Sequence, residues 1–270
     1  MLMTSFKNKV VVVTGAASGI GLAICGRFAK AGAVLGLLDM DAESLKAAEE
    51  MLCDGGARCL SVPCDVSRQD ACTMAIGQIL DHFGGIDVLV NNAGITQRSA
   101  FVDTDIAVFE KVMAVNFFGS LYCTKAAIHS LIERKGLIIV NESIAGIAPL
   151  LGRTGYSASK HALHGLFTSL RTEIRETGTH VMTVCPGFVE TNLQTRAMGG
   201  DGRVTQRPQS RVGGQQTPEK VADIIYRGAQ KRKDLLVLTP VGKLTWWMSR
   251  LLPPLYERIM AKQLKSELDR

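Results

Sequence analysis

Tyr156 and Lys160 stand four positions apart in the run Tyr156-Ser157-Ala158-Ser159-Lys160, and Ser143 lies thirteen positions before the tyrosine. On a helix, residues i and i+4 share a face, so a phenol and an ammonium at this spacing point into one site. Tyrosine is a weak acid, with an ordinary pKa of about 10, and a neighbouring cation favours its phenolate. The pair is therefore a candidate proton donor and acceptor. Ser143 follows the apolar run Leu137 to Val140, which reads as a buried strand. Its hydroxyl is then expected at a strand end, where open α/β sheets bind ligands. Taken alone, the Tyr-x-x-x-Lys spacing also suits a surface lysine laying its stem beside a half-buried tyrosine.

The elements that must position these residues read as alternating strands and helices. Strands are expected at Val10 to Val13, Val34 to Leu38, Arg58 to Pro63, Ile86 to Val90, Leu137 to Val140, His180 to Cys185 and Leu235 to Leu238. Amphipathic stretches between them predict an α/β, doubly wound, seven-stranded parallel sheet with helices on both faces. The first strand runs into Thr14-Gly15-Ala16-Ala17-Ser18-Gly19-Ile20-Gly21 and then an apolar-periodic helix. Glycines there permit a tight turn and close approach of backbone to a pyrophosphate, whose charge meets the positive end of the helix dipole. A second helix is expected from Asp41 to Asp54, closed by Gly55-Gly56; Ser67 is a candidate N-cap for the next, and Thr217-Pro218 opens a later one.

Together these motifs resemble the short-chain dehydrogenase/reductase family in its compact single-domain branch, over about Lys7 to Leu238. The marks are Thr14 to Gly21, Asp65-Val66, Asn91-Asn92-Ala93-Gly94, Asn116, Ser143, Tyr156 with Lys160, and Pro186-Gly187, in that order. The resemblance implies a Rossmann fold and an oxidoreductase that interconverts a secondary alcohol and a ketone or aldehyde by hydride transfer. It assigns Tyr156 as general acid/base, Ser143 to the substrate oxygen, Lys160 to the phenol and the nicotinamide ribose, and Asn116 to a proton relay. It further implies cofactor contacts from Gly15, Ser18, Gly19, Ile20, Gly21, Asp39, Asp65, Val66, Asn92, Ala93, Gly94, Tyr156, Lys160, Pro186, Gly187, Val189 and Thr191. A homodimer or homotetramer through the helices around Phe109 to Ser130 and Tyr156 to Arg175 is implied as well.

Asp39 falls eighteen residues after Gly21, at the end of the second strand. A carboxylate there accepts from ribose hydroxyls and repels a 2′-phosphate. Ser18 and Met40 occupy positions where NADP(H)-using relatives typically carry a base, so NAD(H) is favoured, with NADP(H) the runner-up. An NADPH-dependent carbonyl or 3-oxoacyl carrier-protein reductase, an epimerase of the extended branch, and a non-catalytic dinucleotide sensor are the alternatives.

Composition is compatible with one domain: 270 residues, 46% hydrophobic and 21% charged. No run of about eighteen uncharged apolar residues suggests a membrane span, and Met1 to Lys9 lacks an apolar signal segment, which favours a cytoplasmic enzyme. The seven cysteines lack the C-x-x-C spacing of zinc or redox sites, so reduced thiols and no metal are expected. The net charge of +6 fits an enzyme that binds anionic cofactors and a small-molecule substrate, with no nucleic-acid partner expected. Residues 1–240 are read as the catalytic domain, with a substrate lid near 190–216. Residues 241–270 are an apolar and basic extension of it, bearing Trp246-Trp247 and broken by Pro253-Pro254. That extension can pack on the body, on a partner subunit or over the pocket; peripheral membrane contact is possible but not favoured.

Overall fold

The computed structural model describes residues 4–193, 195–206 and 214–265. Its strands are β1 (Val10–Thr14), β2 (Val34–Asp39), β3 (Arg58–Pro63), β4 (Val88–Asn91), β5 (Leu137–Asn141), β6 (His180–Cys185) and β7 (Leu235–Val237). All pair in parallel in the order 3-2-1-4-5-6-7. The expected doubly wound sheet is thus present, and its strand order reverses between β1 and β4, the switch point where such sheets open a crevice.

The helices are α1 (Gly19–Ala29), α2 (Ala42–Asp54), α3 (Gln69–Phe83), α4 (Ile106–Met113), α5 (Gly119–Glu133), α6 (Thr154–Glu173), α7 (Pro218–Gln230), α8 (Pro240–Leu251) and α9 (Pro253–Leu264). Alternation along β1 shows how the sheet is covered: Val11 and Val13 join the core under α1 and α7, while Val10 and Val12 join the core under α3, α5 and α6. Both faces are apolar, as a parallel sheet buried on two sides requires.

Local signals mostly act as read. Asp41 caps α2, accepting from Ser44 N at 3.1 Å, Gly84 closes α3 at φ 72°, and Thr217 accepts from Lys220 N at 3.3 Å with Pro218 in the first turn of α7. Ser67 is a correction. Arg68 is the N-cap of α3, and Ser67 is instead folded into the preceding turn, its hydroxyl and backbone N–H both donating to Asp65 Oδ1, at 2.7 Å and 3.0 Å. β4 also begins at Val88 rather than Ile86, since Ile86 N donates to the Ser130 hydroxyl at 2.9 Å instead of to a strand.

The expectation that nothing resembles a span needs a second correction. Ile106–Glu133, running through α4, a π-helical turn and α5, is long and apolar enough to cross a membrane by length and composition. Its apolarity has a place in the fold, for Val112, Cys123, Ala127 and Leu131 are buried in the core.

Candidate functional site

The glycine turn is built by backbone conformation. Gly15 and Gly19 have φ of 65° and 54°, the left-handed region where a side chain is strained. At Gly21 a Cβ would collide with the Gly15 carbonyl, and at Gly15 it would press on Ala93 Cα at 3.0 Å. Ser18 stands extended before α1 with no side-chain cap bond, and the first turn of α1 holds no acid. A cradle of bare backbone at the positive end of a helix fits a diphosphate.

Asp39 lies at the carboxyl end of β2 and accepts from Ala17 N at 3.0 Å and Asp41 N at 3.1 Å, which ties its carboxylate to the glycine turn. Thr14 stitches β1 to β4, accepting from Asn92 N at 2.9 Å and Ala93 N at 3.0 Å. The Asn92 amide donates to Thr14 O at 3.0 Å and accepts from Asn141 Nδ2 at 2.8 Å, extending the stitch to β5. Val66 packs against Gly119 at the start of α5, and Asp65 accepts from Ser67 N at 3.0 Å. On the far rim, a Cβ on Gly19 would meet Thr191 at 3.2 Å, Pro186 O accepts from Ile144 N at 3.2 Å, and Gly187 lies against Thr239. Val189 is bridged to Gln216. This arrangement fits a dinucleotide groove, with bare backbone at the glycine turn, a carboxylate at the end of β2 and a strand-end segment between.

Tyr156 and Lys160 sit on α6, nine per cent and four per cent exposed. Lys160 donates to Asn141 O at 2.9 Å, and its ammonium is 5.7 Å from the Tyr156 ring centre. Ser143, just beyond β5, accepts from Ala145 N at 3.1 Å, and its hydroxyl acts on the phenol of Tyr156 to lower its pKa. Asn116 lies in the π-helical turn between α4 and α5. Its side chain accepts from Ile95 N at 2.8 Å and donates to Ile95 O at 3.0 Å and Ser159 Oγ at 2.9 Å. A methyl on Gly94 would stand 3.2 Å from Asn116 Oδ1 and 3.7 Å from Lys160 Nζ. Ser143, Tyr156, Lys160, Asn116 and Gly94 thus converge at the carboxyl ends of β4 and β5.

The electrostatics differ from expectation in one respect. Lys160 was expected to lower the phenol's pKa; instead burial raises that of Tyr156, opposed by the Ser143 hydrogen bond and by the charge of Arg153. Lys160 itself is pulled down to about 8, chiefly by burial. Two residues that the sequence reading passed over therefore belong to the site. Arg153 is one per cent exposed and stands at the N-terminal boundary of α6, three residues before Tyr156. The signal was this spacing, masked because an arginine at a helix start is usually solvated. Glu142, the other, stands between Asn141 and Ser143 with its side chain fully buried.

Of the expected lid, the described stretch 195–206 lies on the loop after β4: Met198 N bonds Thr96 O at 2.9 Å, and Asp105 N bonds Gly200 O at 2.9 Å. Residues 194 and 207–213 of the expected lid fall outside the described residues. The tail folds as α8 and α9, broken at Leu252, and clamps the loop after Ser143. Tyr256 donates to Pro149 O at 2.8 Å, Ser249 to Ile147 O at 3.3 Å, and Leu151 N to Met260 Sδ at 3.2 Å.

Residues 9–200 match the model of the short chain dehydrogenase family. The chain is 36% identical over 269 residues to the Bos taurus dehydrogenase/reductase SDR family member 7B, covering 97% of this chain and 83% of that one. To the Drosophila melanogaster dehydrogenase/reductase SDR family protein 7-like it is 31% identical, covering 95% and 80%. Among solved structures, a short-chain dehydrogenase/reductase from Burkholderia phymatum in complex with NAD superposes with a TM-score of 0.84 at 24% identity over 94% of this chain and 96% of that one, a likeness of fold. An alcohol dehydrogenase from Thermococcus sibiricus complexed with 5-hydroxy-NADP gives 0.75 at 26% identity, covering 85% and 95%. With the groove and the Ser-Tyr-Lys arrangement in place and these matches spanning the chain, the protein belongs to the short-chain dehydrogenase/reductase family, and is an oxidoreductase of that family.

Proposed function

We propose that this enzyme interconverts a secondary alcohol and a ketone or aldehyde with a nicotinamide dinucleotide, NAD(H) in preference to NADP(H), and that its substrate is apolar. The observation that carries the reading is the convergence of Tyr156, Lys160 and Asn116 with Ser143 at the strand ends, beside the glycine turn to which Asp39 is tied. When bound, the nicotinamide supplies or accepts the hydride. Tyr156 holds the proton that moves: burial keeps the phenol protonated at neutral pH, so it can donate to an alkoxide forming on the substrate carbon. Ser143 donates to the same oxygen as charge develops, contributing in the manner of an oxyanion hole. Arg153, just before α6, favours the phenolate once the proton has left, and Lys160 lies one turn along the helix with its ammonium 5.7 Å from the phenol ring centre. Asn116 fixes the strand-end segment that faces the ammonium, and the relay assigned to it is part of this proposal.

The preference for NAD(H) rests on like-charge repulsion between Asp39 and a 2′-phosphate. That the Burkholderia phymatum structure holds NAD supports the reading; the Thermococcus sibiricus enzyme, complexed with 5-hydroxy-NADP, supports the runner-up. Titration with NADH and NADPH, followed by nucleotide fluorescence and repeated with Asp39→Ala, tests it. Tight NADH and weak NADPH, with the gap narrowed in the variant, is the expected result; tighter NADPH binding overturns the cofactor assignment and turns the substrate search toward carbonyl reduction.

An apolar substrate is favoured by the clamp of α8 and α9 on residues 147–151, which include Leu150 and Leu151. We place the enzyme in the cytoplasm as a homo-oligomer through α4, α5 and α6. The thiols of Cys64, Cys72 and Cys123 are buried and unlinked, which suits a reducing compartment. Phe118, 40% exposed and stacked on Tyr122, suits a subunit contact.

A further inference from the structure

Glu142 is a buried charge with no part in the proton transfer outlined above. It follows β5 directly, between Asn141, whose carbonyl takes the Lys160 hydrogen bond, and Ser143. Its side chain is 0% exposed. A carboxylate removed from water persists only when it is partnered. His164 Nδ1 lies 3.1 Å from Oε2, and the Cys185 thiol at the end of β6 donates to the same oxygen at 3.6 Å. The Glu142 backbone N–H is bonded to Val184 O at 2.8 Å, so pairing to β6 fixes where the residue points. Oε1 has no hydrogen-bond partner among the described residues. His164 stands four residues beyond Lys160 on α6, so Tyr156, Lys160 and His164 form an i, i+4, i+8 stripe facing the strand ends.

We propose that Glu142 is a positioning residue: held by His164 and Cys185 beneath the strand ends, it keeps Lys160 in its ammonium form through neutral pH. Burial alone pushes an ammonium toward its neutral form. At Lys160 that loss is opposed first by Glu142, and the balance stands near 8. The Cys185 thiol is driven well above its usual range, by burial first and then by Glu142, so it stays protonated and donates to the carboxylate instead of rivalling it as an anion. The ionisable groups that meet here are Glu142 after β5, Cys185 at the end of β6, Tyr156, Lys160 and His164 on α6, and Arg153 just before it. Among the described residues, Glu142 and Cys185 are the acidic groups that oppose the loss at Lys160, and Glu142 is the larger of the two.

The inference rests on the proposed use of Lys160 in the reaction, so its test reads the ammonium apart from turnover. Apoprotein is pulse-labelled with acetic anhydride from pH 6 to 10 and acetylation of Lys160 is followed by peptide mass spectrometry. In parallel, kcat/KM for ethyl acetoacetate with NADH is profiled over the same range. Glu142→Gln is expected to move the Lys160 labelling midpoint about one pH unit lower, and with it the alkaline limb of kcat/KM, while Glu142→Asp restores most of both. If Gln at 142 prevents folding, Glu142→Ser serves in its place and carries the same expectation. An unchanged labelling midpoint in a folded neutral variant overturns the proposal. A shifted midpoint with an unmoved kcat/KM profile upholds the hold of Glu142 on Lys160 and counts instead against the catalytic use of that lysine.

Discussion

The two halves of the groove are made by different means. Around β1 and β2, position is set by backbone: positive φ at Gly15 and Gly19, the missing side chain at Gly21, and small polar groups at Thr14 and Asn92 that tie loop to loop. Beyond β5 and β6, position is set by large side chains that arrive from distant segments and are buried with their charges. Glu142, Arg153 and Lys160 are three per cent, one per cent and four per cent exposed. A backbone-built site tolerates little change in its glycines but asks little of its neighbours. A charge-built site depends on every partner, because each ion loses its compensation when one is removed.

This contrast can be broken at both ends, and the largest effect is expected at the phenol. Tyr156→Phe should lower turnover by about 100- to 10,000-fold, the usual worth of a general acid/base, while NADH affinity from fluorescence titration stays within a few-fold. Loss of cofactor binding in the same variant would show that the two halves are not separable. In the backbone half, Gly21→Ala should destabilise the fold by about 1–3 kcal/mol through overpacking, because its methyl would meet the Gly15 carbonyl. Thermal melts and nucleotide fluorescence should move together, whereas a variant that melts normally and binds NADH normally would show that the turn relaxes at little cost.

A pH series sharpens the comparison from another side. Cys25, Cys64 and Cys72 pack around β1 to β3, and each has its thiol pKa raised above the ordinary 9, in Cys25 mainly by burial and in Cys64 mainly by its hydrogen bond with Cys72. A raised acid binds its proton more tightly folded than unfolded, so its contribution is complete below pH 9 and is lost as pH rises above it. Each such thiol is expected to cost about 1 kcal/mol per pH unit above 9. Urea unfolding between pH 8 and 10.5 should therefore show falling stability, and a flat profile would mean that these thiols are solvated. The smallest effect is expected at the tail. Tyr256→Phe removes the bond to Pro149 O and should cost about 1 kcal/mol, raising KM for decan-2-one more than for ethyl acetoacetate. Equal KM changes would sever the tail from substrate choice.

How far each half was legible follows from how it is encoded. The glycine turn, Asp39 and the seven strands were readable because φ, apolar periodicity and strand-end position are properties of a few consecutive residues. Ser67 was misread as a cap because the competing acceptor, Asp65, is local but conformation-dependent. Arg153 and Glu142 went unnoticed for a different reason. Nothing in Gly152-Arg153-Thr154 or Asn141-Glu142-Ser143 says that these side chains are buried, and the partners of Glu142 are 18 to 43 residues away in the chain.

By itself, then, the sequence determined the order of elements, the dinucleotide turn and the spacing of the tyrosine and lysine, because each depends on short-range geometry. Only the tertiary structure decided the charge state of the site. Burial drives Tyr156 up and Lys160 down, and the opposing effect of Glu142 reaches Lys160 through space from the end of β5, which meets α6 only when the sheet has formed. It also decided that the tail folds back onto residues 147–151, since a helix pair carries no record in its own sequence of the loop that it will clamp. Solvation and Coulomb energy depend on three-dimensional distance, and no spacing along the chain supplies it.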